Sequence, residues 1–309
     1  MSLLPRPLAL PGMSMLLVLC VGACAATPDI APIDRKIDRA VDADTANVSH
    51  SDWYGDVRSM ADAKDNAARR AYLRRRLENN GMAITVQPFV SGNLRGENLI
   101  ADIGGAADAP LLLFGAHSDR VDAGRGAADN ASGSSTVLAL AERFKRKPLM
   151  HHRVKIAFWD LEERGLLGAT AYVEQNSEKP ALYINFDVFG WGNTLWMMSP
   201  DIGHPLVAAS RSAAKTQQML IDAGDQYPPS DHLAFIKAGW PAVSYSLVGA
   251  DEIPDILRVF GGKRPARVPK LIAVIHSRKD TIEQVDDAAV ARGIDAVEAA
   301  IREWDAQTR

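Results

Sequence analysis

The sequence alternates between short apolar runs and stretches in which apolar residues recur every three or four positions. Strands are predicted by alternation over 153–159 and by continuous apolar runs at 111–116, 182–186, 242–247 and 271–275. A helix is predicted at 132–147, and another near the C-terminus from one apolar stripe: Val290, Ile294, Val297, Ile301 and Trp304. Strands that alternate with helices predict an α/β fold.

An arginine-rich helix is predicted before this region, between Asp65 and Asn80. Its inner face is expected to carry Ala68, Ala71 and Leu77, and a solvated face is expected to carry Arg69, Arg70, Arg74, Arg75 and Arg76. The Asn79-Asn80-Gly81 sequence predicts a left-handed C-cap. Alternation over 83–90 then predicts a strand, and 91–93 predicts the turn of an edge hairpin.

The N-terminus has the features of an export signal, because Arg6 precedes an apolar run at 15–25 that is too short to span a bilayer. Val21-Gly22-Ala23-Cys24 resembles a bacterial lipobox, in which Cys24 would carry the lipid, although simple cleavage near Ala23 or Ala25 is an open alternative. We therefore expect an exported protein, either a periplasmic or outer-membrane lipoprotein or a secreted one.

Composition divides the chain into a signal at 1–24, a linker at 25–50 and one folded domain at 51–309. The linker is rich in Ala, Asp, Thr and Pro, and the rest is apolar enough to bury a core. Cys20 and Cys24 are the only cysteines, so the mature domain has no internal disulfide. The formal net charge of -3 does not favour a nucleic-acid partner.

Candidate chemistry lies in five short segments, several of which follow predicted strands. They are 117–119 (His-Ser-Asp), 128–133 (Ala-Asp-Asn-Ala-Ser-Gly), 160–163 (Asp-Leu-Glu-Glu), 185–187 (Asn-Phe-Asp) and 275–277 (Ile-His-Ser). Taken singly, each has an ordinary explanation, since Asp129 could cap a helix and Glu162 and Glu163 could favour a helix dipole. Together they supply imidazole and carboxylate ligands for a paired zinc site.

These segments, together with Gly165-Leu166-Leu167-Gly168, Ser230-Asp231-His232 and Asp280-Thr281, resemble the co-catalytic di-zinc aminopeptidases of peptidase family M28. The similarity covers about residues 65–285 in the order and spacing of the family. The resemblance implies a three-layer α/β/α fold with a mixed, mostly parallel central sheet, the zinc-dependent exopeptidase fold.

The resemblance also implies roles for individual residues. His117 and Asp187 would bind one zinc ion, Glu163 and His276 would bind a second, and Asp129 would bridge them. One departure is Ala128, which stands where the family commonly has a first aspartate, but the metal-binding aspartate is retained.

The remaining implied roles concern catalysis and the substrate pocket. Glu162 matches the general base, Asp119 the residue that holds the His117 ring, and Tyr227 a residue that hydrogen-bonds the substrate carbonyl in some relatives. Asp231 and His232 match the segment that lines the pocket, although Asp231 could instead only cap the helix after it.

The implied function is zinc-dependent removal of N-terminal residues from peptides with a free N-terminus. The alternatives are a glutaminyl-cyclase-like acyltransferase with a single zinc ion and a non-catalytic binding module of the same fold. Loops at 189–198 and 250–269 are expected to shape the pocket, and Trp191 and Trp196 suggest an apolar wall. The sequence leaves the preferred N-terminal residue and the oligomeric state open.

Overall fold

The structure is a computed structural model that describes residues 50–308, and side-chain environments from Trp53 onward. The predicted signal at 1–24, with Cys24, and the predicted linker up to residue 49 lie outside the described residues. Within the described range, none of the helices has the length and apolar character needed to cross a membrane.

The secondary structure alternates between strands and helices, as the sequence pattern predicts. The strands are β1 (Ala83–Ser91), β2 (Leu94–Gly104), β3 (Leu111–His117), β4 (Arg153–Trp159), β5 (Leu182–Phe189), β6 (Thr194–Met198), β7 (Leu220–Gly224) and β8 (Ala242–Val248). The helices are α1 (His50–Ala61), α2 (Asn66–Asn79), α3 (Gly133–Arg146), α4 (Leu167–Gln175), α5 (Pro205–Thr216), α6 (His232–Lys237), α7 (Ile253–Phe260), α8 (Lys270–Val274) and α9 (Asp287–Gln307).

The strands form one mixed sheet in the order β1-β2-β4-β3-β5-β8-β6-β7. Its centre is parallel, because β3 pairs in parallel with β4 and β5, and β5 pairs in parallel with β8. β2 is antiparallel to β4, and β6 is antiparallel to β8. The expected mixed sheet with a parallel centre is therefore confirmed, and its central strands end at one common edge.

Helices cover both faces of the sheet, which gives the expected three layers. Alternate residues of β3 enter different apolar clusters, with Leu112 and Phe114 in one and Leu111 and Leu113 in the other. The first cluster includes residues of α1, α2, α3, α5 and α9, and the second includes residues of α4 and α6. Burial on both faces explains why β3 is a continuous apolar run.

The hairpin of β1 and β2 forms one edge of the sheet, with Ser91 opposite Leu94 and Gly92 at a φ of 58° in the turn. β1 contains Pro88, which lies opposite Glu97 of β2. Proline is found almost entirely on edge strands because it has no N–H to donate. The predicted edge hairpin is confirmed.

Two sequence expectations are wrong. Residues 271–275 are not a strand, because 270–274 form α8, in which Leu271 and Val274 are buried one turn apart. A five-residue apolar run has no distinguishing period, so strand and helix look alike. In α2, Ala71 is exposed and Arg69 is fully buried, the reverse of their expected places.

Candidate metal centre

The five predicted metal ligands lie together beyond the edge where the central strands end. His117 is the last residue of β3, Asp187 lies near the end of β5, and Glu163 lies in a 3₁₀ turn after β4. Asp129 lies in a π-helical turn before α3, and His276 follows the end of α8. Open α/β sheets bind their ligands at this edge.

One group of candidate ligands consists of His117, Asp129 and Asp187, whose ligand atoms lie within 4.8 Å of one another. His117 Nε2 is 3.1 Å from Asp129 Oδ1 and 3.6 Å from Asp187 Oδ1. His117 Nδ1 is 3.2 Å from the backbone oxygen of Asp119 and 3.5 Å from its Oδ1. In a neutral imidazole, Nδ1 would therefore carry the proton and Nε2 would be free to bind a metal.

The other group consists of Asp129, Glu163 and His276. His276 Nε2 is 3.1 Å from Asp129 Oδ2 and 2.9 Å from Glu163 Oε2. Asp129 thus presents one carboxylate oxygen to each histidine. A carboxylate that bridges two metal ions presents its oxygens in this way.

Backbone hydrogen bonds fix the turn that carries Asp129. The N–H groups of Ala128 and Asp129 donate to the two carboxylate oxygens of Asp280, at 2.6 and 3.1 Å. The Arg125 N–H donates to the backbone oxygen of Asp280 at 2.8 Å. The Asp280-Thr281 pair was part of the sequence motif, but only the structure shows that Asp280 holds this turn.

Unpartnered oxygen atoms provide a test of whether metal ions fit here. Among the described side chains, Glu163 Oε1 and Asp187 Oδ1 are buried and have no hydrogen-bond partner. A buried carboxylate oxygen without a partner is costly unless a cation neutralises it. Imidazole nitrogen and carboxylate oxygen are also the ligands that zinc takes. The residues present therefore fit a pair of divalent metal ions.

The titration of both histidines reflects an excess of negative charge. Burial alone would lower the pKa of His117, but Glu162 and the other carboxylates around the ring outweigh it and raise the pKa well above its usual value. Hydrogen bonds to Asp129 and Glu163 raise the pKa of His276 to about 10. Two divalent cations would supply the positive charge that this cluster favours.

Glu162 belongs to neither ligand group but lines the same cavity. The N–H groups of Glu162 and Glu163 donate to Asp119 Oδ1 and Oδ2, at 3.0 and 3.2 Å, so one carboxylate fixes the turn that carries both glutamates. Burial raises the pKa of Glu162 to about 10; His117 lowers this pKa and Asp231 raises it. Two divalent cations in the same cavity would lower this pKa, so that the carboxylate could accept a proton and then return it.

The cavity above the ligands has a volume of about 540 Å³, including the part open to solvent. Its walls are apolar: Val188, Trp196, Phe260, Leu271 and Ile275. Of the two tryptophans predicted to form an apolar wall, Trp196 lines the cavity from β6. The Trp191 indole instead donates to Glu252 at 2.8 Å.

Tyr227 also lines the cavity, but its hydroxyl group has a partner within the protein. Ser246 Oγ donates to the backbone oxygen of Asp187, which can only accept, so the Tyr227 O–H donates to Ser246 Oγ. Burial raises the pKa of Tyr227, so the phenol stays protonated near neutral pH. Tyr227 is therefore close to the candidate ligands, but its hydroxyl proton is already in a hydrogen bond to Ser246.

Asp231 and His232 are not among the residues that line the cavity. Asp231 is fully buried and makes no side-chain cap to α6, so the alternative that it is only a helix cap is not what the structure shows. Neither of its carboxylate oxygens has a hydrogen-bond partner among the described residues. The His232 ring is 5.6 Å from the Tyr227 ring.

A buried polar network under the site was missed by the sequence reasoning. Tyr183 donates to Asn185 Oδ1 at 2.8 Å, and Asn185 Nδ2 donates to Ser230 at 2.9 Å and to Ser244 at 3.1 Å. The network therefore connects β5 and β8 to the segment before Asp231. The signals in the sequence were the polar Asn185 within the predicted strand at 182–186 and Ser230 in the motif at 230–232.

Comparison with known proteins agrees with this geometry. Residues 98–301 match Peptidase family M28. The Probable leucine aminopeptidase 2 of Arthroderma benhamiae is 31% identical over 224 residues, which cover 67% of this chain and 44% of that protein. The chain thus spans about half the length of the curated relatives that it matches.

Solved structures share the fold. The zinc aminopeptidase BSAP from Bacillus subtilis superposes with a TM-score of 0.57 at 24% identity, covering 69% of this chain and 51% of that one. Porphyromonas gingivalis glutaminyl cyclase superposes with a TM-score of 0.66 at 22% identity, covering 84% and 99%. Similarity at these identities establishes the architecture only.

A mixed sheet with two metal-ligand groups at the end of its parallel strands defines an α/β protein of the zinc-exopeptidase architecture. The chain belongs to peptidase family M28, as the sequence motifs predicted.

Proposed function

We propose that this chain is a zinc-dependent aminopeptidase that removes single N-terminal residues from peptides with a free amino terminus. The observation that carries the proposal is Asp129, whose two carboxylate oxygens each face a different histidine. Membership of peptidase family M28 supports the same activity, as does the name of the relative from Arthroderma benhamiae.

His117 and Asp187 would hold one zinc ion, Glu163 and His276 would hold the other, and Asp129 would belong to both. When bound, zinc ions at such a site acidify a water molecule and polarise a carbonyl group. The complete set of imidazole and carboxylate ligands supports two ions per chain.

Glu162 would act as the general base, taking a proton from the attacking water and returning it to the leaving amine. Its place in the cavity outside both ligand groups supports this role. Asp119 would act indirectly, by fixing the turn of Glu162 and the ring of His117. Tyr227 could reach a substrate carbonyl only by releasing Ser246.

The cavity walls favour a substrate whose N-terminal side chain is apolar. Trp196, Phe260 and Leu271 offer hydrocarbon surface, and the charged residues of the cavity are mostly the proposed ligands and base. Burying an apolar side chain against these walls would contribute roughly 1.5–3 kcal/mol. Leucine, methionine and phenylalanine are therefore the expected N-terminal residues.

Glutaminyl-cyclase-like acyl transfer is the alternative, because a glutaminyl cyclase shares the architecture. A cyclase of this kind is expected to use a single zinc ion, whereas the two ligand groups of this chain support a pair of zinc ions. Metal counting separates the two functions, since one tightly bound zinc ion per chain together with pyroglutamate formation would favour the cyclase.

The test of the proposed base is Glu162→Gln. We expect the variant to retain zinc and to lose on the order of 10²–10⁴-fold in kcat on aminoacyl substrates, the usual contribution of general acid–base catalysis. Glu174→Gln is the matched control, because it makes the same chemical change on an exposed face of α4. Unchanged turnover in Glu162→Gln would rule out the assignment.

We also propose that the chain acts after export, either lipidated at Cys24 or cleaved without a lipid. The apolar segment and the Val-Gly-Ala-Cys sequence support this location. Incorporation of a fatty-acid label into the full-length chain, and its loss in Cys24→Ser, would distinguish the two forms of export.

A further inference from the structure

Arg69 lies in a place that its sequence context does not predict. Among the described residues it is the one Lys or Arg side chain that is buried, with none of its surface exposed. It belongs to α2, which precedes the segment matched to the family. Burying a charge is costly, so the contacts of this guanidinium group need an explanation.

The guanidinium group donates to backbone oxygens in two segments of the metal centre, one next to His117 and one before Asp129. Arg69 Nε donates to the Ser118 oxygen at 2.8 Å, and Nη1 donates to the Arg125 and Gly126 oxygens at 3.2 and 3.1 Å. Ser118 lies next to His117, and Gly126 lies three residues before Asp129. One rigid group therefore connects the end of β3 to the turn of the shared carboxylate.

Close packing shows that this position is matched to its surroundings. Gly126 has a φ of 61°, and a Cβ added there would lie 2.8 Å from Arg69 Nη1. One turn earlier in α2, Asn66 Nδ2 donates to the Arg120 oxygen at 3.0 Å and Asn66 Oδ1 accepts the Arg120 N–H at 3.1 Å. The same face of α2 thus contacts this segment at Ser118, Arg120, Arg125 and Gly126.

The Asp129 turn is therefore held from two directions. Arg69 binds backbone oxygens before the turn, and Asp280 accepts the N–H groups within it. Burial lowers the pKa of Arg69 to about 10, so the group remains a cation at neutral pH. Its Nη2 is buried without a hydrogen-bond partner, a cost that an apolar side chain of similar length would avoid.

We propose that Arg69 is a positioning residue of the metal centre, which sets the place of the Asp129 turn relative to His117 through three backbone oxygens. This inference rests on the proposed two-zinc function. It assigns to α2 a part in metal binding that is separate from its part in the apolar core.

The test compares three variants in the same helix, prepared from the full chain: Arg69→Met, Arg69→Lys and Arg76→Met. Arg76 is the matched control because its guanidinium group is also held by the protein, through ion pairs with Asp56 at 2.6 Å and Glu142 at 2.9 Å, but contacts neither ligand segment. Zinc affinity is measured on the folded protein by competition with a chromophoric chelator. Unfolding is measured in denaturant, and kcat and KM are measured at saturating zinc.

We expect Arg69→Met to lose roughly 10–100-fold in zinc affinity, the usual effect of removing a group that orients metal ligands. Its kcat should fall while KM changes little. Arg69→Lys should lie between wild type and Arg69→Met, because an ammonium group cannot span all three oxygens. Arg76→Met should lose stability and keep the wild-type zinc affinity.

Two results would overturn the inference for different reasons. Wild-type zinc affinity and kcat in Arg69→Met would refute the positioning role while the two-zinc function stands. If Arg69→Met does not fold, wild-type zinc affinity and kcat in Arg69→Lys would refute the positioning role instead. Wild-type protein that binds no zinc at all would refute the proposed function, and this inference with it.

Discussion

The two ligand groups have the same chemical composition but lie in different surroundings. Each consists of one histidine, one carboxylate of its own and one oxygen of Asp129. The His117 side chain is 1% exposed at the end of a central strand, whereas the His276 side chain is 54% exposed after a short helix. The inner group is thus fixed by the sheet, and the outer group is fixed by loops.

This difference separates two tasks within one site. The inner group is surrounded by hydrogen-bonded groups: the Asp119 backbone oxygen, the Asp280 carboxylate and the side-chain network around Asn185. The outer group lies close to Leu271 and Ile275, which line the cavity in the same segment as His276. We therefore expect the inner group to determine stability and the outer group to determine access for metal and substrate.

The strongest test of the comparison is Asp129→Asn, since Asp129 is common to both groups. We expect loss of zinc from both and a fall in activity of more than ~100-fold, beyond the usual effect of removing a supporting residue. Elemental analysis of the purified variant gives the zinc count. Retention of one zinc ion with substantial activity would contradict the shared role.

The two histidines provide the next test, through His117→Ala and His276→Ala in the presence of a chelator. Removing His117 leaves buried carboxylates without their partner and should cost about 3–5 kcal/mol in unfolding free energy. Removing the half-exposed His276 should cost less, because solvent already reaches its ring and screens its pairs with Asp129 and Glu163. Denaturant unfolding measures both, and equal losses would show that the two groups do not differ in this way.

Phe260→Ala tests the link between the outer group and the substrate. Phe260 lines the cavity from the end of α7. Its loss should weaken transition-state binding of leucyl substrates by about 1–3 kcal/mol, which lowers their kcat/KM roughly 10–200-fold. Alanyl substrates should change much less, and zinc affinity should not change. An equal loss for both substrates would argue against an apolar pocket for the N-terminal residue.

The smallest effect is expected from Tyr227→Phe, next to the inner group. The variant loses the hydrogen bond to Ser246, which should cost about 1 kcal/mol in stability and only a few-fold in kcat/KM. Steady-state kinetics at saturating zinc provide the measurement. A loss on the order of 10²–10³-fold in kcat would instead show that Tyr227 stabilises the transition state directly.

The sequence predicted the inner group better than the outer one, for a physical reason. His117 and Asp187 belong to buried strands whose continuous apolar residues identify them. His276 lies after α8 in a left-handed backbone conformation, with a φ of 55°, which no local pattern indicates. The apolar run before it looked like a strand, so this candidate ligand was predicted from the wrong secondary structure.

The arginines of α2 show what composition cannot tell. Arg69 and Arg75 are in the same charged run, but Arg69 is buried and Arg75 is exposed. Their difference arises from which backbone oxygens lie opposite the helix, and these come from a segment about 50 residues later. Such long-range partners are absent from a helical periodicity pattern.

Pro88 has a consequence for the behaviour of the protein in concentrated solution. The Glu97 N–H points away from β1, because it donates to Asp160. Pro88 and Glu97 are therefore a non-hydrogen-bonded pair of the antiparallel ladder, in which the backbone groups of the two residues point away from each other. The Pro88 nitrogen therefore faces the free side of β1, where a strand added from a second molecule would need a backbone N–H donor. An otherwise open sheet edge lacks a hydrogen bond at this position, which protects the chain against edge-to-edge aggregation.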